Sequence, residues 1–439
     1  MVSLALVVLD TLRKDAFDRH FEWLPGRRFE RAYSTANWTV PAHASLFCGK
    51  YPSELGTHAK NMTLDCDDPT IAEELRAAGY TTRAFSANTN VTGYFDFDRG
   101  FDDFRVPKQI GHLNDDNIFD FRDFNQRTDA EGLEHHSKLL YEIVTSDAAT
   151  VPSMVALARK VRGENNGVKY GGLIEAQSEL SDISFGEEEF LFLNLMEAHE
   201  PYRVPPSYRT VDEPSMTNSV GDIYFGSGTF DAEQTTQAYE DCATYLSDKY
   251  QALFKELRET FDYVITLADH GELLGEQDAW GHEYGVASPL THVPLVITGN
   301  GLDGTCTDTV SLLDVHQTVL DIADVDGGAR GRSLLEEGDE NEYLTEYLGL
   351  TSWSERKLHQ NGFDDQIEQY NEQLRGYVTQ SGSYGYQTQD EFIATDDESV
   401  SDLQHRLDQL VSELDIRAVE TDNDVPDEIK EQLEHLGYA

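Results

Sequence analysis

The sequence predicts an α/β fold whose central sheet is largely parallel, with a small α+β subdomain at the C-terminus. Three observations carry this. Short apolar runs recur over the first 300 residues and each stops at a polar cluster, as strands buried on both faces do. Stretches with helical periodicity lie between them, the alternation that builds a parallel sheet covered by helices. After about residue 340 the pattern changes, which divides the 439 residues into a main domain (1–340) and a smaller unit (341–439).

The elements follow in order. "VSLALVVL" (2–9) is the first strand and ends at Asp10. "DDPTIAEELRAAGYTTRAFSAN" holds a helix, a stop at Gly79 and a second strand over 81–86. Further strands are read at 190–196 ("FLFLNLM"), 263–268 ("YVITLA") and 293–299 ("VPLVITG"), with helices at 235–259 and over "SLLDVHQTVLDIA". Residues 104–185, rich in acids, Asn and Gly, read as an irregular insertion with one or two helices. In the C-terminal unit, "LRGYVTQSGSYGYQTQ" alternates as antiparallel strands do. Leu403, Leu407, Leu410, Val411 and Leu414 mark one face of a helix. "VPDEIKEQLEHLGYA" reads as a closing helix, with Pro426 near its start and Gly437 past its end.

Composition narrows the partners. Lys and Arg total 33 against 82 Asp and Glu, a formal charge of −49. A coat this acidic, spread over the whole chain, repels nucleic acid and anionic membranes and is similar to the hydrated surfaces of proteins from salt-loving organisms. The four cysteines are too scattered for a disulfide framework or a zinc knuckle. The first apolar run is too short to span a bilayer. The expectation is a soluble, cytoplasmic protein with no nucleic-acid partner and no membrane insertion.

Chemistry is expected at the carboxyl ends of the strands, where loops converge in open parallel sheets. The first strand ends in Asp10, the third leads to Glu197 and His199, and the fourth delivers Asp269 and His270. Two carboxylates and an imidazole suit one divalent cation. Such an ion would activate a nearby hydroxyl, and Thr39 of "NWTVPAHASLFCGKYP" stands at a helix start, where the dipole favours an anion. An ordinary N-cap threonine is the plainer reading.

At this point the motifs become specific. "LVVLDTLRKD", "ANWTVPAHASLFCGKYPSELGTH", "FDRGFDDF", "NLMEAHEPY", "LADHGELLGE" and "WGHEYG…THVPLVI" occur in this order over residues 1 to about 335. The chain thereby resembles the sulfatase family of the alkaline-phosphatase superfamily. The resemblance implies an alkaline-phosphatase-like sandwich, with a central mixed, largely parallel sheet between helices. It also implies one divalent metal ion, calcium first, with manganese or zinc as alternatives, and a hydrolase whose substrate is a small anionic ester of sulfuric or phosphoric acid.

The family's nucleophile motif is Cys-x-Pro-Ser-Arg, whose cysteine (in some members a serine) becomes formylglycine. The matching residues here are Thr39, Val40, Pro41, Ala42 and His43. A threonine cannot become formylglycine, so a covalent route through the Thr39 hydroxyl is expected, as in the superfamily's phosphodiesterases and phosphotransferases. Cys48 lacks the proline two residues on and reads as a packing residue. By position, His199 resembles the leaving-group acid. His282 resembles the residue flanking the transferred group, or a ligand of a second metal. His43 stands for the motif arginine, to orient Thr39 or contact the anion, with a surface-facing helix position as the alternative. Asn88 is a candidate substrate contact or a loop Asn satisfying its own turn. Arg13 is a candidate anion clamp or a partner of Asp15. Thr11 stands where sulfatases usually carry a second aspartate, which suggests a thinner, single-metal shell. The alternatives kept open are a phosphotransferase with a glycan or lipid acceptor and a catalytically silent binder of acidic glycans.

Overall fold

Residues 2–108, 110, 138, 145, 171–214, 231–335, 341–395 and 399–419 are described by the computed structural model. Most of the 104–185 insertion and the closing 425–439 helix lie outside them. The ten strands of the main domain are β1 (Leu4–Leu9), β2 (Arg27–Tyr33), β3 (Thr81–Ser86), β4 (Asp103–Arg105), β5 (Glu189–Leu195), β6 (Tyr263–Leu267), β7 (Leu273–Leu274), β8 (Trp280–Gly281), β9 (His292–Thr298) and β10 (Gly304–Ser311).

Eight of them form one sheet in the order β10-β2-β9-β6-β1-β5-β3-β4, and β7 pairs with β8 in a separate ribbon. β1 sits at the centre, parallel to β5 and β6, with every residue buried, which is why its sequence is apolar without alternation. β9 runs antiparallel to both β6 and β2, making the sheet mixed. The run "VPLVITG" marks a strand but not its direction. β2 is thus parallel to β6, and the chains leaving β1, β2, β3, β5 and β6 emerge at one edge of the sheet.

Helices cover the sheet. Thr70 caps the Ile71–Ala77 helix reciprocally with Glu73: the Thr70 hydroxyl accepts from the Glu73 N–H at 3.2 Å, and the Glu73 carboxylate accepts from the Thr70 N–H at 2.8 Å. Asp231 caps the long Ala232–Thr260 helix, accepting from the Gln234 N–H at 3.1 Å. The Thr39–Cys48 helix is buried along its whole length and packs on the Leu312–Ile322 helix.

The C-terminal strands, β11 (Tyr343–Tyr347), β12 (Leu374–Val378), β13 (Tyr384–Gln387) and β14 (Phe392–Ala394), form an antiparallel sheet in that order. Leu403 and Leu407 of the Val400–Ser412 helix join Tyr51 and Leu313 of the main domain in one apolar cluster with Leu344 and Tyr377. A second cluster joins Tyr343 and Tyr347 to Tyr33, Leu273 and Leu290. The small sheet therefore completes its core with main-domain side chains. It is also stitched to the segment before Thr39: Glu346 N–H donates to Thr35 O at 2.8 Å and the Thr345 hydroxyl to Ser34 O at 2.6 Å.

Candidate active site

The five strand ends place Asp10 after β1, Thr39 after β2, Asn88 after β3, Asn194 and His199 at and after β5, and Asp269 and His270 after β6. Asp10, Thr39, Asn88, Asn194, Asp269 and His270 are completely buried. One ligand atom from each of Asp10, Asp269 and His270 lies within 4.8 Å of the other two. His270 Nε2 is 3.7 Å from Asp10 Oδ1 and 3.4 Å from Asp269 Oδ2.

These residues fit a cation. Asp10 Oδ1 and Asp269 Oδ2 are buried and have no hydrogen-bond partner, a costly state for carboxylate oxygens that an ion between them would relieve. Burial, followed by the neighbouring Asp269 carboxylate, pushes Asp10 up to about 8. Burial also pushes Asp269 up to about 7, although backbone N–H groups and the Thr39 hydroxyl pull it down. His270 Nδ1 faces the Gly271 carbonyl at 2.9 Å. A carbonyl only accepts, so the proton sits on Nδ1 and the Nε2 lone pair faces the carboxylates, as a ligand nitrogen must.

Thr39 Oγ1 stands 3.2 Å from His270 Nε2. Asn88 Nδ2 donates to Asp10 Oδ2 at 2.8 Å and reaches Thr39 Oγ1 at 3.4 Å, so Asn88 is in the site, and its Oδ1 also accepts from the Asn90 N–H at 2.8 Å as a turn. Trp38 is extended (φ −151°) and Thr39 opens the helix, which ends at Gly49 in the left-handed region (φ 67°). Cys48, at the far end of that helix, lies 3.8 Å from Cys66 sulfur to sulfur; hydrogen bonding to Cys66 and burial push its thiol well up.

His43 is fully buried, so it is not a surface position. Its Nδ1 donates to Thr39 O at 2.9 Å and Nε2 accepts from Asn194 Nδ2 at 3.0 Å. Burial pushes it down to about 3: where the family motif has an arginine, a neutral ring braces the Thr39 backbone. Arg13 donates to Asp15, Glu276 and the Glu272 carbonyl, at 2.8–3.1 Å, and its guanidinium is thereby held by carboxylates of its own chain. His199 Nδ1 faces Glu200 O at 2.6 Å. The His282 ring lies 5.0 Å from that of His199 and 4.6 Å from that of His270, centroid to centroid.

Thr11 has φ 57°, a strained setting for a β-branched residue. The turn aims its N–H at Asp269 Oδ1, 3.4 Å away, while its hydroxyl donates to Asp10 O at 2.7 Å. Where the family pattern carries a second aspartate, this chain thus supplies a backbone N–H to Asp269 and no further carboxylate.

Three site residues escaped the sequence reading: Asn194, Glu272 and Asn37. Asn194 is the one polar residue inside an otherwise apolar strand run, a signal that was present. Glu272 is spaced from Asp269 and His270 as part of "ADHGE". Asn37 left no signal apart from lying two residues before Thr39.

An alkaline-phosphatase-like α/β fold with a cation-ready hydroxyl site at the sheet edge defines the class. The chain belongs to the sulfatase family, whose model matches residues 20–325; Thr39, Asp269, His270 and His282 fall inside that stretch and Asp10 just ahead of it. It is 22% identical over 332 residues to the uncharacterized sulfatase YidJ of Escherichia coli, covering 69% of this chain and 61% of that one. The chain therefore spans under two thirds of that relative's length. Among solved structures, the phosphonate monoester hydrolase SpPMH of Silicibacter pomeroyi superposes with a TM-score of 0.60 at 17% identity, covering 94% of this chain and 95% of the other. A putative sulfatase from Bacteroides thetaiotaomicron does so with a TM-score of 0.59 at 13% identity, over 96% and 95%. Among the described residues no helix is long and apolar enough to cross a membrane.

Proposed function

We propose that this chain is a metal-dependent hydrolase of sulfuric or phosphoric esters in which Thr39 is the covalent nucleophile. The observation that carries the reading is the Thr39 hydroxyl 3.2 Å from His270 Nε2, beside two unpartnered carboxylate oxygens at one end of five strands. Asp10, Asp269 and His270 would hold one divalent ion, with Thr39 beside it. Such an ion supplies Lewis-acid polarisation of the ester oxygen and lowers the hydroxyl's pKa.

The chain's own residues do the rest. The helix N-terminus behind Thr39 stabilises incoming negative charge. Asn88 offers an amide N–H toward the attacking oxygen, and His43 fixes Thr39 through its carbonyl. The Thr39 hydroxyl gives its proton to solvent as its oxygen bonds to phosphorus or sulfur, and the bond to the leaving alcohol breaks. His199, whose resident proton stays on Nδ1 against Glu200 O, takes a proton from solvent at Nε2 and passes it to the leaving oxygen. Water then cleaves the threonine ester and restores the Thr39 hydroxyl. A threonine ester has no geminal hydroxyl with which to expel sulfate, so phosphorus esters, diesters above all, are the preferred substrates.

The test is elemental analysis of the purified protein, then assays with aryl sulfate, p-nitrophenyl phosphate and bis(p-nitrophenyl) phosphate before and after chelation. Diester hydrolysis that chelation abolishes and a divalent cation restores is expected. Turnover unaffected by complete metal removal would refute the metal-dependent mechanism.

A further inference from the structure

Glu272, two residues past His270, has no part in the scheme above, yet it is completely buried. A buried carboxyl needs strong partners, and it has them. Oε1 lies 2.9 Å from His282 Nδ1, and Oε2 accepts from the Tyr202 hydroxyl at 3.1 Å. Its backbone carbonyl accepts from Arg13 Nη1 at 2.9 Å. Tyr202 meets Tyr239 edge-on, 5.4 Å between centroids, and the Tyr239 hydroxyl bridges Thr11 O and the Arg13 N–H at 2.9 and 2.8 Å. The carboxyl is thus clamped to the same β1 turn that carries Asp10.

His282 is anchored from its backbone as well, its carbonyl accepting from Asn37 Nδ2 at 2.7 Å. The neighbouring rings of His199, His270 and His282 differ in one respect. His199 and His270 turn Nδ1 to backbone carbonyls, which fix their tautomers without help from a side chain. His282 turns Nδ1 to the side-chain carboxyl of Glu272 instead. Which nitrogen of His282 carries the proton therefore depends on a single side chain, and swapping tautomers would change Nε2 from acceptor to donor.

We infer that Glu272 is a positioning residue that accepts the Nδ1 proton of His282, leaving Nε2 bare on a ring that lies beside those of His199 and His270. Its effect on turnover rests on the proposed function; its effect on the tautomer does not. The experiment is nitrogen–proton multiple-bond NMR on the full chain with 15N-labelled histidine, His282 being assigned from the signal lost in His282→Gln. Wild type should show His282 protonated at Nδ1, Glu272→Gln should keep that form because the amide oxygen still accepts, and Glu272→Ala should give a mixture. In parallel, kcat for bis(p-nitrophenyl) phosphate should fall about tenfold to a hundredfold in Glu272→Ala, with KM little changed, and recover in Glu272→Gln. An Nε2-protonated His282 in wild type, or a tautomer unchanged in Glu272→Ala, would overturn the inference. The wild-type spectrum decides even if Glu272→Ala does not fold. A wild type inactive on every ester but carrying the Nδ1–H form would sink the ester reading and leave this inference standing.

Discussion

At the scale of single residues, the site separates two candidates for attack that share one helix. Thr39 opens the helix beside Asp10 and His270, while Cys48 closes it nine residues and about 13 Å further on, against Cys66. Thr39→Ala should lower kcat by several orders of magnitude, Thr39→Ser should keep part of the activity, and Cys48→Ala should cost little beyond packing; steady-state assays with melting curves as a folding check would show it. Loss of turnover in a well-folded Cys48→Ala, with Thr39→Ala active, would reverse the assignment. Gly271 makes a sharper prediction about the site's frame. A Cβ there would sit 2.0 Å from Pro289 O, a backbone atom that cannot swing aside. Gly271→Ala should therefore lower the melting temperature markedly and disturb His270. Thr39, Asp10, Asp269 and His270 were legible in the sequence because strand-end polar residues and ordered motifs announce themselves. The environment of His43 was not, since residue type alone does not say that a polar helix position faces Asn194 rather than water.

At the scale of elements, legibility followed unbroken apolar runs and not burial alone: β11 ("YLTEY") is fully buried but is interrupted by Thr345 and Glu346, and it was not read. β1 and β5, buried throughout, and β6, buried apart from Tyr263, were read from apolar runs, whereas β2 ("RRFERAY") and β10 ("GTCTDTVS") were missed because they lie toward one side of the sheet and are only partly buried. Loop positions carry buried acids too. Glu197, after β5, accepts from the Leu173 N–H at the start of the Leu173–Leu180 helix at 2.6 Å, while its other oxygen is buried without a partner. Burial pushes its carboxyl from 4.5 to about 8. The folded state thus holds a proton that the unfolded chain has released, so this group's stability is fully present below about pH 4.5 and is lost as pH rises toward and through about 8. Glu197→Gln keeps the acceptor without the titration; its melting temperature should exceed wild type at pH 9 and match it near pH 4.5. An identical pH dependence in the two proteins would show that Glu197 is not a buried acid. The small sheet makes the other element-scale prediction. Because its strand β11 bonds to Ser34 and Thr35 and its core borrows Tyr33, Tyr51 and Leu313, deletion of residues 341–439 should leave a chain that is insoluble or lacks turnover. A soluble, fully active truncated chain would show that the site does not depend on the small sheet.

At the scale of the whole molecule, charge dominates. The net −49 of 82 acidic against 33 basic side chains has few ways to be neutralised from within. Among the described residues, ion pairs such as Arg105 with Glu179 and Arg417 with Asp65 sit at the surface, where a pair is worth about 0–1 kcal/mol. Self-repulsion among the remaining acids reaches over about 30 Å at 0.01 M salt but only about 3 Å at 1 M, so in dilute buffer nearly every acid on a face repels every other. The folded chain concentrates these charges and the unfolded chain spreads them, so low salt should favour unfolding. The melting temperature should therefore climb steeply from 0.01 M to molar KCl. A substitution series that replaces exposed, unpaired acids with glutamine should flatten the climb by raising the low-salt end. Salt acting only through apolar surface would instead raise both proteins in parallel, with the strongly excluded sulfate far more effective than chloride at equal ionic strength. Equal effects of the two salts at matched ionic strength, together with the flattened climb, would identify screening of the acidic coat as the source. A melting temperature flat from low to molar KCl would remove the case for a salt-adapted surface.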